Sequence, residues 1–250
     1  MGEKELIKAV AAIGKGLVSC GAEIYRAEES MKRICAAYGH ENAEVFAVPS
    51  VIIVTVFTGG GTPVTEICRI YGRSTNLDRV DKYNALSRMI CRTKPTYQTV
   101  VKHIASIEKR ICYTKRFTGV SYAIAGAATA FTVGGGVKDC FLAAFAALII
   151  YAVSVKIDGL NPGVFMRSAV CSMFAAAFCA AMNRLGLIPA FDKAIIGAVV
   201  TLVPGVAITN CMRDLLAGDL LAGLYTMTEA FLTAAGIAVG TGAVIAAAVM

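Results

Sequence analysis

The sequence predicts a membrane protein built in two parts. A small cytoplasmic α+β domain spans residues 1–116, and an all-α bundle of about five transmembrane helices spans residues 117–250. Three observations carry this. The 250 residues are 57% hydrophobic and only 16% charged, against roughly 25% charged in a soluble domain. Charge is also unevenly placed: residues 1–118 hold 18 of the 24 Lys and Arg and 11 of the 17 Asp and Glu, so the net charge of +7 sits entirely on the front half. Behind it, apolar runs follow one another with short charged links.

The front half alternates helical and extended patterns. Leu6, Ala9, Val10, Ile13 and Leu17 recur at helical spacing over residues 3–19. Residues 21–39 form a second amphipathic helix, with Ile24, Ala27, Met31, Ile34, Cys35 and Tyr38 on one face and Gly39 as its stop. Residues 44–58 are rich in β-branched and aromatic side chains and read as one or two strands. The Gly-Gly-Gly-Thr-Pro turn at 59–63 leads to a returning strand over 64–72. Helices follow over about 74–90 and 96–112.

Five apolar runs make up the back half: 118–137, 140–155, 168–183, 194–212 and 220–250. The first has twenty residues without a charge, enough at ~1.5 Å per residue to cross a hydrocarbon core of ~30 Å. Gly126, Ala130 and Gly134, and separately Gly236 and Gly240, repeat every four residues and suit close helix approach. The basic front half sets the N-terminus on the cytoplasmic side, and five spans then put Met250 outside.

Other classes find little support. There is no run of five like charges and no zinc spacing, which argues against nucleic acid. Nine cysteines without a C-x-x-C fit a reducing compartment rather than a disulfide framework. Two histidines are too few for a His-ligated metal site. No serine-hydrolase, zinc-protease or Walker motif is present. The chain is therefore expected to be no enzyme and to hold no cofactor or metal.

The fourth run holds the most informative irregularity. Pro204–Gly205 falls inside it, and Arg213–Asp214 closes it. Proline lacks an N–H and displaces a carbonyl from the helix ladder. In lipid such freed groups need protein or a wet cavity, and transporters place binding sites at broken helices. A half-helix from Gly205 carries Thr209, Asn210, Arg213 and Asp214, with Asn210 and Asp214 on one face. Pro204, Gly205 and these four are the candidate substrate-binding residues, Arg213 offering a forked donor to a carboxylate. Asp219 and Glu229 are the candidate ion-coupling residues. A plain proline kink and a solvated charged loop are the competing readings.

Three segments carry a resemblance: GAEIYRAEESMKRICAAYG (21–39), RIYGRSTNLDRVDKYNALSR (69–88) and LVPGVAITNCMRDLLAGDLLAG (202–223). Together, in this order, they resemble the threonine/serine exporter family of bacterial membrane proteins. The resemblance implies a secondary exporter of small metabolites in the bacterial inner membrane, acting on threonine and serine or, as in two-component relatives, on dicarboxylates. It also implies that a chain ending at Met250 is the larger subunit of a split system with a smaller all-membrane partner. It gives weight to Glu23, Tyr25, Arg26, Glu28 and Asn76 on the cytoplasmic face, where the alternatives are a solvated charged surface and, for Asn76, a helix cap. Proton coupling is the simplest driving force. An accessory, gating subunit is the alternative function, and a membrane-bound enzyme a weaker one.

Overall fold

The computed structural model describes residues 1–110, 113–160, 162–187 and 191–249. They fall into two compact units, one of Met1–Cys112 with Val206–Met227, the other of Tyr113–Gly205 with Thr228–Met250. The first unit takes in α1 (Glu3–Ser19), α2 (Ile24–Ala37), β1 (Glu44–Val48), β2 (Val51–Phe57), β3 (Pro63–Arg69), α3 (Leu77–Thr93) and α4 (Tyr97–Lys109). The second holds α5 (Lys115–Thr132), α6 (Val137–Ile157), α7 (Val164–Arg184) and α8 (Phe191–Val199). Then follow α9 (Gly205–Leu216), in the first unit but for Gly205, and α10 (Leu220–Val249), which contributes to both.

In the first unit the strands form an antiparallel sheet in the order β1-β2-β3. Residues 44–58 resolve into two strands because Pro49 and Ser50 form a tight turn between Val48 and Val51, which pair; proline cannot donate to a ladder. Alternation then sorts the faces. Val45, Ala47, Ile52, Val54 and Val56 are buried beneath α1 and α2, while Thr55 and Thr65, paired across β2 and β3, share a hydrogen bond of 2.9 Å on the outer face. The core is made of large side chains: Leu6, Ile7, Ile13, Leu17, Met31, Ile34, Ile52 and Tyr83 are all at most 2% exposed. Each such burial contributes ~1.5–3 kcal/mol.

The second unit is organised the opposite way. Its interior is mostly small, Ala146, Ala175, Ala176, Ala194, Ala198, Cys171 and Cys179 beside Ile150, Ile195 and Leu202, whereas Phe131, Phe141, Phe145 and Phe231 stand 58–71% exposed. Small side chains inside and large apolar ones outside suit a lipid solvent, which does not reward burying phenylalanine and does reward close backbone approach. A Cβ on Gly126 would lie 2.8 Å from that of Ala147, and one on Gly197 would lie 2.8 Å from Gly126 O. Gly236 and Gly240 let α10 approach α7 in the same way, and Ser172 Oγ reaches Ile237 O at 3.3 Å. Gly240→Ala would put a methyl 2.2 Å from the Ala169 carbonyl oxygen. A backbone atom cannot swing aside, so we expect a loss of ~1–3 kcal/mol, read as a lower melting temperature in detergent.

Among the described residues, three helices are long and apolar enough to cross a membrane: α6 with its following 3₁₀ turn, α7, and α10 over Leu220–Ala248. There are four if α8 with its 3₁₀ turn and α9 count as one broken span. The sequence led us to expect five. The difference lies in the first run, expected over 118–137. Its helix, α5, begins three residues earlier and stops at Thr132, because Gly134 adopts φ +81° and Gly135 N–H turns back to Ala130 O at 2.8 Å. Left-handed glycine is a common helix stop. The break expected at Pro204 is present. A 3₁₀ turn over Val200–Leu202 follows α8, Val203 is extended, and the helix resumes at Gly205.

Candidate functional site

The three segments that carry the resemblance are far apart in sequence and meet at one corner of the first unit, residues 19–24 between α1 and α2. The corner is shaped by Gly21, whose φ of +88° favours glycine, and by Ala22 N–H donating to Leu17 O at 3.0 Å. The second segment docks by backbone: Ser74 N–H donates to Ser19 O and Asn76 N–H to Cys20 O, both at 2.9 Å. The third docks by side chain. Asn210 Nδ2 donates to Gly21 O at 3.2 Å. Arg213 Nη1 pairs with Glu23 Oε1. The Asp214 carboxylate accepts from Ile24 N–H.

These contacts answer a local need. Helix α2 starts at Ile24, and its N-cap residue Glu23 makes no side-chain cap. The first N–H groups of a helix lack partners and carry partial positive charge. Asp214, 2% exposed, supplies a carboxylate there from another helix. Asp214 Oδ1 is buried without a geometrically close hydrogen-bond partner among the described residues. Glu23 is 8% exposed and is flanked by two guanidinium groups: Arg26 Nε lies 2.5 Å from Oε2, while Arg213 holds Oε1. Arg213 is 56% exposed, so its half of the pair is open to solvent.

A cleft of about 210 Å³ lies over this pair, lined among others by Glu23, Arg26, Asn84, Val206, Asn210 and Arg213. That is below the ~300–1,000 Å³ of pockets for drug-sized ligands and suits a metabolite of few atoms.

The other candidates fall as follows. Pro204 and Gly205 form the break itself, and no atom lies within 4 Å of a Cβ built on Gly205. Thr209 is exposed on α9. Tyr25 accepts a hydrogen bond from Arg26 Nε at 3.0 Å, and Arg26 sits 5.8 Å above its ring. Asn76 caps α3, accepting from Arg79 N–H at 3.0 Å. Glu229 is half-buried in the part of α10 that belongs to the second unit. Two residues the sequence did not single out join the corner: Gly21, and Arg73, whose Nη1 reaches Thr226 Oγ1 at 3.5 Å. Both stand inside the quoted segments, and a glycine between two strongly periodic helices was the available signal.

Glu28 fastens α2 to the sheet. Its Oε1 accepts from Ala47 N–H at 2.6 Å. Burial holds its carboxyl above the usual carboxylate range, opposed by the Ala47 hydrogen bond, with the nearby charge of Asp219 adding to the rise. Asp219 is raised by burial as well. A carboxyl whose folded pKa is raised binds protons more readily in the folded than in the unfolded chain. Its stabilising contribution is therefore full below the unfolded value of ~4.3 and is lost as pH rises through the folded value. Glu28→Gln keeps the acceptor for Ala47 and removes the charge. As pH rises above ~4.3 the variant's melting temperature is expected to fall less steeply than the parent's, as scanning calorimetry in detergent can read.

Residues 8–248 match the model of a protein family described as "Putative threonine/serine exporter" (ThrE). Comparison with curated proteins and with solved structures returns no match.

Proposed function

The chain belongs to the threonine/serine exporter family, and on that premise we propose that the Glu23–Arg213 pair is where the exported amino acid is first captured. The observation that supports this reading is the pair itself: an acid and a forked cation meet in a small cleft, with the cation half in solvent. The pair joins a buried carboxylate to a half-exposed guanidinium, so a solute can reach it from the cation's side. A zwitterion offers both halves a replacement. Its carboxylate takes the Arg213 fork, and its ammonium takes Glu23, which Arg26 continues to orient. The side-chain hydroxyl of serine or threonine then lies within the same small cleft as the amides of Asn84 and Asn210. A dicarboxylate would leave Glu23 facing a second negative charge, so this arrangement favours amino acids.

Pro204, Gly205 and Thr209, at the break and the start of α9, are the residues we assign to a further stage of substrate passage. Asp214, with one buried oxygen unpartnered, and Asp219 are the groups we assign to a coupling proton on this side, and Glu229 to a later position along α10. Counting α5 with the bundle it packs in gives five membrane helices. In this reading residues 1–116 face the cytoplasm of a bacterial inner membrane, and a smaller all-membrane subunit completes the pathway.

The test is export of radiolabelled serine, threonine and succinate from proteoliposomes holding the chain alone or with its partner subunit, with and without an imposed pH gradient. Serine and threonine efflux driven by the gradient supports the reading. Efflux of succinate alone removes the zwitterion site, and no contribution of this chain beyond the partner's own activity would favour the accessory role.

A further inference from the structure

We propose that a second cleft, between α2 and α3, binds a phosphate-bearing anion. This cleft measures about 610 Å³, within the ~300–1,000 Å³ range of small-molecule sites. Four arginines line it: Arg26 and Arg33 from α2, Arg88 and Arg92 from α3. Glu29 is the one acid among its lining residues, and it is already engaged by Arg33 at 2.5 Å. Arg88 and Arg92 stand one turn apart on α3 and form no hydrogen bond or ion pair among the described residues. Like charges at that spacing destabilise a helix; Arg92 stands in the last turn, where the helix dipole favours a cation, but Arg88 has neither that benefit nor an internal partner.

The floor of the cleft points the same way. Ser87 is 6% exposed, and its hydroxyl makes no hydrogen bond among the described residues. Other helical serines here, Ser106, Ser121 and Ser168, bond to a carbonyl three or four residues back. The Ser87 hydroxyl is thus left open to the cleft that the residue lines, where it can donate to or accept from a ligand oxygen. Several guanidinium forks around one hydroxyl match the oxygens of a phosphate group better than a single carboxylate. Tyr25, at the rim, offers a ring face beside them.

Two sources share this chemistry: a free pyrophosphate or nucleotide, and a phospholipid headgroup. The site also touches the capture cleft, because Arg26 and Asn84 line both. A bound anion would draw Arg26 away from Glu23 and so loosen the pair that receives substrate. The site stands on its own residues, however, and binding is measurable whether or not the chain exports amino acids.

The full chain in nanodiscs of zwitterionic lipid is titrated calorimetrically with inorganic pyrophosphate and with ATP, in parallel with nanodiscs containing phosphatidylglycerol. The expected result is saturable binding that weakens between 50 and 200 mM salt. Arg88→Ala/Arg92→Ala should raise the dissociation constant at least tenfold, and Arg88→Lys/Arg92→Lys should restore part of it. If phosphatidylglycerol occludes pyrophosphate in the parent and not in the alanine variant, the headgroup is the natural ligand. If neither soluble probe binds and phosphatidylglycerol has no effect that depends on Arg88 and Arg92, the proposal is overturned. Binding of equal strength in the alanine variant overturns it as well.

Discussion

Arg213→Ala is expected to abolish export of serine and threonine while the chain still reaches the membrane and folds. The side chain is half exposed and belongs to no core, so its loss removes little packing. What it removes is the forked donor for a carboxylate, a charge-assisted contact of ~1.5–3 kcal/mol, or one to two decades in apparent affinity. Glu23→Gln separates binding from simple fastening. If the pair only holds α9 to the α1–α2 corner, both variants lose melting temperature and activity together. If it receives a zwitterion, Glu23→Gln keeps the carboxylate site, loses the ammonium site, and lets succinate compete with threonine. Efflux assays with both solutes, alongside thermal melts, distinguish these outcomes. Parent-like threonine export by Arg213→Ala would remove the capture site.

Asp214→Ala carries the second large effect, and here stability is expected to move. The carboxylate accepts from Ile24 N–H at the start of a helix that has no cap of its own. Losing such a cap costs ~0.5–2 kcal/mol, and at a site 2% exposed no water readily replaces it. Asp214→Asn keeps an acceptor of the same shape. As a cap alone, Asn should recover both the melting temperature and export. As a proton carrier, Asn should recover the melting temperature and leave gradient-driven export as low as in the alanine variant. Measuring both quantities on both variants therefore assigns Asp214 to one role or to both.

Much of this architecture was legible from local signals. Period-two and helical patterns placed β2, β3 and the first four helices, because each buries one face and the alternation of faces is written in the chain. Pro204 announced the break, since no tertiary contact returns a missing N–H. The small residues at 126, 130, 236 and 240 announced close packing, whereas Gly134, expected in the same stripe, serves as the stop of α5. The first apolar run was read too far because apolarity alone does not mark where three glycines let the backbone turn.

What sequence alone determined is the contrast between a charged α+β front half and apolar helical runs behind it, the break at Pro204, and the family. Composition, periodicity and proline act within a few residues, and each can be read where it stands. Only the tertiary structure decided that α9 sends Asn210, Arg213 and Asp214 to residues 21–24, and that Arg88 and Arg92 meet Arg26 and Arg33 in one cleft. Those pairings join residues up to 190 positions apart, and spacing along the chain holds no record of them. They arise because an uncapped helix start and a buried glutamate must find partners wherever the packed elements bring opposite charge within reach.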